Sequence, residues 1–208
     1  MNLTLFLLAT FALNITPGPD MLYVMARSLG QGTRAGVVSA LGIGVGTFVH
    51  MAALAIGLST LLTKVPAAYD AVKYIGAAYL AYLGLRTILS KGDTLDHTLK
   101  VKEQASLRRV FGQGILTNVL NPKVALFFIA FIPQFTNPDL GPIGWQVLLL
   151  GMIFNTSGTA VNSSVAFLAG SLGDKLRLNK RVARVQRWFT GTVFLALATR
   201  LVWPDSQS

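Results

Sequence analysis

The sequence predicts an all-α, polytopic membrane protein with six transmembrane helices, arranged as two inverted three-helix repeats. Three observations lead to this prediction. The chain carries few charges, its apolar residues fall into long segments, and its basic residues concentrate in alternate loops. Together they favour a chain that crosses a bilayer over a soluble domain.

The composition provides too little polar surface for a soluble protein. Of 208 residues, 52% are hydrophobic and 12% are charged, whereas an ordinary soluble domain carries about 25% charged residues. Asp, Glu, Lys and Arg are absent from residues 1–19, 35–63 and 140–173. A spanning helix needs about 20 apolar residues. Each of these stretches can therefore supply all or most of one span.

Six apolar segments can be drawn along a single transmembrane domain, 1–208. They lie at about 2–27, 36–62, 67–89, 110–135, 143–170 and 185–203. The polar linker 90–109 separates two halves, about 1–89 and 110–203. The first segment is expected to be a retained helix and not a cleaved signal peptide, because it lacks a basic n-region.

The basic residues predict the orientation. Of 18 Lys and Arg residues, 14 fall after segments 1, 3 and 5, and 3 fall on the opposite side. The positive-inside rule then places both termini outside and the linker 90–109 in the cytoplasm. On a soluble chain the net charge of +10 would suggest nucleic acid. Here it is assigned to topology and to anionic membrane lipid, and no nucleic-acid partner is expected.

The two halves show traces of duplication. Segment 1 contains Asn14-Ile15-Thr16-Pro17 and segment 4 contains Asn118-Val119-Leu120-Asn121-Pro122. Basic residues 13 apart occur in segment 3, at Lys73 and Arg86, and in segment 6, at Arg187 and Arg200. Halves with three spans each must have opposite orientations, which is the plan of many secondary transporters. The identities are few, so chance similarity is the alternative.

The first proline break carries a candidate binding site. Pro17 and Pro19 flank Gly18 and cannot continue a regular helix. Backbone groups freed inside a bilayer must be satisfied by protein, water or substrate. A half-helix starting near Pro19 would point its positive dipole end at a substrate carboxylate. Asp20 follows, as a proton-coupling group, a ligand for a substrate ammonium, or a first-turn residue stabilised by the dipole.

The second break places Asn118, Asn121, Pro122 and Lys123 in an otherwise apolar segment. Lys123 could pair with Asp20, which would offset the desolvation of both charges. The alternative is that its side chain extends to an interface. Because Lys123 lies near the middle of its segment, the sequence favours a role in the site.

Segments 5 and 2 contribute further candidates. Asn155, Thr159 and Asn162 share one helical face by their spacing. They would line a pathway or form hydrogen bonds between helices. His50 is a candidate proton relay together with Asp20, although a buried, hydrogen-bonded histidine is favoured.

Signatures of enzymes are missing from the sequence. It has no cysteine and only two histidines, His50 and His97. It shows no metal-spaced histidine cluster, nucleotide loop or paired carboxylates. Neither a metal, a cofactor nor a catalytic activity is expected.

At these motifs the sequence resembles the lysine exporter (LysE) superfamily, especially its homoserine/threonine resistance (RhtB) branch. The resemblance covers nearly the whole chain and rests on the segments Thr16–Asp20, Asn118–Lys123 and Gly76–Gly84, with the glycine-rich second segment. It implies export of homoserine, threonine or other small amino acids and close derivatives across the bacterial inner membrane. The resemblance also implies exchange for protons.

The expected function is amino-acid export from a site where the two broken helices meet. Its partners would be a small amino acid, protons, membrane lipid and a second copy of the chain in a homodimer. The candidate site residues are Asn14, Thr16, Pro17, Gly18, Pro19, Asp20, Asn118, Asn121, Pro122, Lys123, Asn155, Thr159 and Asn162. An exporter of a cation or another metabolite, a membrane-embedded enzyme and a structural membrane protein are the alternatives.

Overall fold

A computed structural model describes residues 3–64 and 105–172, and part of the residues in 74–89 and 184–199. Throughout these residues the regular structure is helical. The α-helices are α1 Leu3–Ile15, α2 Pro19–Gln31, α3 Thr33–Lys64, α4 Leu107–Val119, α5 Pro122–Ala130 and α6 Ile143–Leu172. Two short 3-10 helices, Ile132–Phe135 and Pro138–Leu140, lead from α5 to α6.

Each predicted proline break is present as a bend between two half-helices. The axes of α1 and α2 differ by 44°. The axis of α4 differs by 48° from that of Pro122–Phe135, which comprises α5 and the 3-10 helix after it. Both second halves begin with a proline, Pro19 in α2 and Pro122 in α5. Proline suits the first position of a helix because an N–H at that position would have no carbonyl partner within the helix.

Length and hydropathy identify some of the expected spans directly. Thr33–Gly57 is long and apolar enough to cross a bilayer, and counting each bent pair as one span gives up to three among the described residues. Helix α6 has 30 residues, which is also long enough to span a bilayer. The all-α, membrane-compatible part of the prediction is therefore confirmed.

Some predicted boundaries were wrong and others lie outside the described residues. Helix α2 continues to Gln31, past the predicted end at 27, and α4 begins at Leu107, before the predicted start at 110. Ser106 caps α4 by accepting a hydrogen bond from the Arg109 amide at 3.4 Å, which explains the earlier start. Residues 90–104 and most of 67–89 and 185–203 lie outside the described part. The third and sixth transmembrane helices and the linker therefore stay predictions.

Helix α3 packs against α2, α4 and α6 and holds the two broken spans together. Its glycines allow a close approach to α4. A Cβ atom added at Gly42 would lie 2.3 Å from the Phe111 carbonyl oxygen, and one at Gly114 would lie 2.7 Å from the Ser39 carbonyl oxygen. Small residues at such contacts are typical of helix pairs in membranes.

Aromatic side chains join α1, α5, the 3-10 helix that follows α5, and α6. The rings of Phe127 and Phe154 stack with centroids 4.8 Å apart, and Phe6 contacts Phe135 at 5.3 Å. Phe128 is also buried among them. This apolar cluster fixes α5 against α1 and α6, and so fixes the position of both breaks.

Candidate functional site

A small cavity of about 30 Å³ lies where the two broken spans meet α3 and α6. Eight of the predicted site residues line it: Asn14, Thr16, Asp20, Asn118, Lys123, Asn155, Thr159 and Asn162. The structure therefore brings residues from both breaks to one place with Asn155, Thr159 and Asn162, the polar stripe of α6.

Asp20 lies in the first turn of α2, directly after Pro19, and is 8% exposed. Its Oδ2 accepts a hydrogen bond from Asn118 Nδ2 at 2.8 Å. Its Oδ1 is buried without a hydrogen-bond partner in the described structure. The helix dipole stabilises the carboxylate at this position. Asp20 is thus a first-turn residue that also keeps one oxygen for a further donor.

Lys123 caps the broken end of α1. Its Nζ donates to the Leu13 carbonyl oxygen at 3.1 Å and to the Thr16 carbonyl oxygen at 2.9 Å. In a continuous helix Leu13 would receive the amide of residue 17, but Pro17 has no N–H. A cation at this carboxyl end also complements the helix dipole. Lys123 and Asp20, whose pairing the sequence left open, form no direct hydrogen bond in the described structure, because the hydrogen bonds of both side chains go elsewhere.

The two breaks exchange equivalent contacts. Asn14 and Asn118 each stand one residue before the end of the first half-helix, and Asp20 and Lys123 are each the second residue of the second half-helix. Asp20 bonds the asparagine at the end of α4, whereas Lys123 bonds carbonyl groups at the end of α1. Each ionisable side chain therefore binds the other broken span.

Asn118 contacts polar groups of both α2 and α3 at the point where the two broken spans cross, and it is 1% exposed. Besides its bond to Asp20, its Oδ1 lies 3.4 Å from the Thr47 hydroxyl, and its carbonyl oxygen lies 3.1 Å from His50 Nε2. Thr47 also donates to the Ile43 carbonyl oxygen at 3.2 Å. The hydrogen bond of His50 thus goes to backbone and not to Asp20, which suits the structural interpretation of this histidine.

Polar side chains of α6 line the cavity or join helices. Asn155, Thr159 and Asn162 face the cavity, and the Thr159 hydroxyl lies 3.4 Å from Asn155 Oδ1. Asn14 Nδ2 donates to the Ser157 hydroxyl at 3.0 Å, which links α1 to α6. Both interpretations of polar residues in this segment therefore apply, to different side chains.

Five predicted residues do not line the cavity. Pro17, Gly18, Pro19, Asn121 and Pro122 shape the breaks instead. For example, Asn121 Oδ1 accepts the Lys123 amide at 3.0 Å and caps α5. Gly18 leaves room for the Lys123 ammonium, because an added Cβ atom would lie 3.1 Å from Nζ.

Six lining residues were not predicted: Met21, Ile43, Thr47, Val124, Phe154 and Gly158. Two of them directly follow the ionisable residues of the breaks. Ile43 and Thr47 lie four residues apart and His50 three further on, which is the spacing of one helical face. That spacing could have identified the inner face of α3, but Phe154 carried no such signal.

The cavity joins two proline breaks, a buried carboxylate and a partly buried ammonium, and the sequence of the chain matches the LysE type translocator family over residues 11–204. The chain belongs to the LysE type translocator family. This LysE translocator is a membrane transport protein and not an enzyme, as predicted from its sequence. Its membership also confirms the predicted family.

Relatives of this LysE translocator include named efflux proteins. It is 28% identical to the leucine efflux protein of Salmonella typhimurium over 209 residues, 97% of this chain and 94% of that protein. It is 30% identical over 196 residues to the homoserine/homoserine lactone efflux protein of the same species, with 94% and 93% covered. An uncharacterised membrane protein of Pseudomonas aeruginosa is 32% identical over 190 residues, 90% and 88% of the two chains. No solved structure matches the chain.

Proposed function

We propose that this LysE translocator exports small neutral amino acids or close derivatives from the cytoplasm, in exchange for protons. The observation that carries the proposal is the cavity between the two breaks, which offers opposite charges and a helix start to a zwitterion. The names of the leucine and homoserine efflux relatives support the substrate class.

The substrate carboxylate would bind at the start of α2. The N-cap of this helix, Gly18, provides no side chain that caps the first amides. The first turn of a helix carries unpaired N–H groups and a partial positive charge, which suit an anion. Lys123 uses two of its three donor hydrogens on α1 carbonyl groups, so its third is available to the same carboxylate.

The substrate ammonium would bind the free oxygen of Asp20. A buried carboxylate oxygen without a donor is an unusual and unfavourable arrangement, and Oδ1 of Asp20 is such an oxygen in the described structure. An ammonium would supply both a hydrogen bond and a compensating charge. Asn14 and Asn155, which also line the cavity, would supply further acceptors.

The substrate side chain would meet an apolar wall. Met21, Ile43, Val124 and Phe154 line the cavity beside the polar groups. Such a wall favours an uncharged, aliphatic side chain, because a second charge would be buried without a partner.

Transport would require this cavity to open and close. A volume of about 30 Å³ holds roughly one or two water molecules, so the cavity must enlarge to admit an amino acid. Two inverted three-helix repeats that rock about the crossing would open the site to each side in turn. The reciprocal contacts of Asp20 and Lys123 support such a repeat.

Asp20 is the group proposed to couple export to protons. A proton on Asp20 would remove the charge that holds the substrate ammonium, so proton and substrate would exclude each other at one carboxylate. His50, the other candidate relay, contacts Asp20 only through Asn118. We place the protein in the bacterial inner membrane with both termini outside. The exposed apolar side chains Leu8, Ile56 and Trp145 would face lipid or a second copy in a homodimer.

Substrate exchange by the purified protein in liposomes tests the proposal. Vesicles preloaded with one unlabelled amino acid should take up labelled leucine, homoserine or threonine faster than protein-free vesicles do. Labelled lysine and a labelled alkali cation serve as comparisons. Exchange of the cation without any amino acid would contradict the proposal and favour the cation exporter.

A further inference from the structure

A second polar cluster lies along α2 and α4, at the end that the charge pattern predicts to be cytoplasmic. It consists of Tyr23, Arg27, Gln31 and Gln113, and we refer to it as the Arg27 cluster. Arg27 follows Asp20 by seven residues, which places the two on one face of α2 about 10 Å apart along the helix. A substrate that leaves the cytoplasm would pass this cluster before it reaches the cavity.

The cluster joins the two broken spans by hydrogen bonds. Arg27 Nη1 donates to Gln31 Oε1 at 2.5 Å, and Nη2 donates to Gln113 Oε1 at 2.7 Å. The Tyr23 hydroxyl donates to the Val110 carbonyl oxygen at 2.9 Å, and its ring lies 5.5 Å from the guanidinium. The bond to Gln113 therefore ties α2 to α4.

The guanidinium is buried among neutral groups. Arg27 is 9% exposed, and its Nε has no hydrogen-bond partner in the described structure. The described part of the chain contains two carboxylates, Asp20 and Asp139. The first bonds Asn118, and the second lies in an exposed 3-10 helix. A buried cation without a countercharge is costly.

The two amides bound to Arg27 together supply as many oxygens as one carboxylate. Two oxygens, one from Gln31 and one from Gln113, occupy the two Nη groups. A carboxylate could supply two oxygens from one group, to both Nη groups or to Nε and one Nη, and would add a negative charge that none of the described residues places at Arg27. Paired hydrogen bonds between arginine and a carboxylate are stronger than bonds to neutral acceptors.

We propose that Arg27 is a transient binding site for the substrate carboxylate on the cytoplasmic side of the central cavity. The carboxylate displaces the oxygens of Gln31 and Gln113 from the guanidinium. Loss of the bond to Gln113 at the same time weakens the connection between α2 and α4, which the Tyr23 bond to Val110 still maintains, and so eases the way to Asp20. This inference rests on the proposed function, because it requires a substrate with a carboxylate.

The KM for labelled leucine, measured in proteoliposomes from the cytoplasmic face, tests the inference. Arg27→Gln should raise KM about tenfold or more, the expected effect of losing charge-assisted hydrogen bonds. Gln113→Leu removes the competing oxygen, together with its contact to the Tyr23 hydroxyl at 3.2 Å, but keeps the guanidinium, and should leave KM unchanged or lower it. If Arg27 were merely a clamp between α2 and α4, both substitutions would shift KM in the same direction.

Two further measurements keep the test decisive. Arg27→Lys retains the charge but not the paired geometry, so it should raise KM with wild-type thermal stability, and it replaces Arg27→Gln if that variant does not fold. An unchanged KM in the folded Arg27 variants, or a raised KM in Gln113→Leu, would overturn the inference alone. A wild-type protein that exchanges no amino acid would overturn the proposed function itself.

Discussion

At the scale of single residues, Asp20 and Lys123, the ionisable residues of the two breaks, have different roles. One carboxylate oxygen of Asp20 makes no hydrogen bond in the described structure. Lys123, in contrast, donates two hydrogens to carbonyl groups at the end of α1. Their equivalent positions in α2 and α5 would have suggested equivalent roles. The difference follows from chemistry, because only a donor can bond the carbonyl groups at the carboxyl end of α1, where Pro17 supplies no N–H.

Lys123→Met should therefore impair stability as well as transport. It removes two charge-assisted hydrogen bonds inside the bundle, and we expect a loss of about 2 kcal/mol in the free energy of unfolding. Thermal denaturation of the purified protein in detergent measures the effect. The matched control is Arg109→Met, because Arg109 is an exposed basic residue in the first turn of α4. Equal melting temperatures for Lys123→Met and the control would contradict the capping role.

Residue chemistry could be predicted from the sequence better than residue contacts. The candidates Asp20, Asn118 and Lys123 were found because polar residues beside proline breaks are costly in a bilayer. Their partners could not be found, since the contact between Lys123 and Leu13 joins residues 110 positions apart. The apolar wall was missed for another reason: Phe154 and Val124 are ordinary residues for any membrane helix.

At the scale of helices, the crossing depends on the close approach of α3 to α4. Gly42 and Gly114 let the two backbones approach each other, and Asn118 then reaches Thr47. The glycine-rich character of segment 2 was visible in the sequence. Which helix it packs against was not, because many pairings would accept a glycine face.

Gly42→Ala should destabilise the bundle. The new Cβ atom would lie 2.3 Å from the Phe111 carbonyl oxygen, so α3 and α4 must separate, at a cost of about 1–3 kcal/mol. Gly112→Ala is the control, since an added Cβ atom there meets nothing within 4 Å. We expect a lower melting temperature for the first variant and an unchanged or higher one for the second. A result in which Gly42→Ala matches the control would show that α3 and α4 are not in tight contact.

At the scale of the whole molecule, two broken spans, each followed by a long helix, occur in the same order in both halves. This order supports the proposed inverted repeat, in which the second half is the first turned over in the membrane. The orientation rests on the 14 basic residues that follow segments 1, 3 and 5. The linker and both chain ends lie outside the described residues, so the orientation needs its own test.

Single cysteines can report the orientation, because the natural chain contains none. In intact cells, Ser208→Cys should react with a membrane-impermeant maleimide. His97→Cys, in the linker, should react only after the membrane is permeabilised. The reverse pattern would place the basic loops outside and contradict the positive-inside assignment.

The most direct test of the central claim compares two carboxylates in one exchange assay. Asp20→Asn removes the charge in the cavity, and Asp139→Asn removes one from an exposed 3-10 helix. Liposomes containing each purified variant would be assayed for exchange of labelled leucine and homoserine. We expect Asp139→Asn to match the wild type and Asp20→Asn to lose about tenfold or more of the exchange rate. Equal rates for both variants would contradict a substrate site at the crossing of the two broken spans.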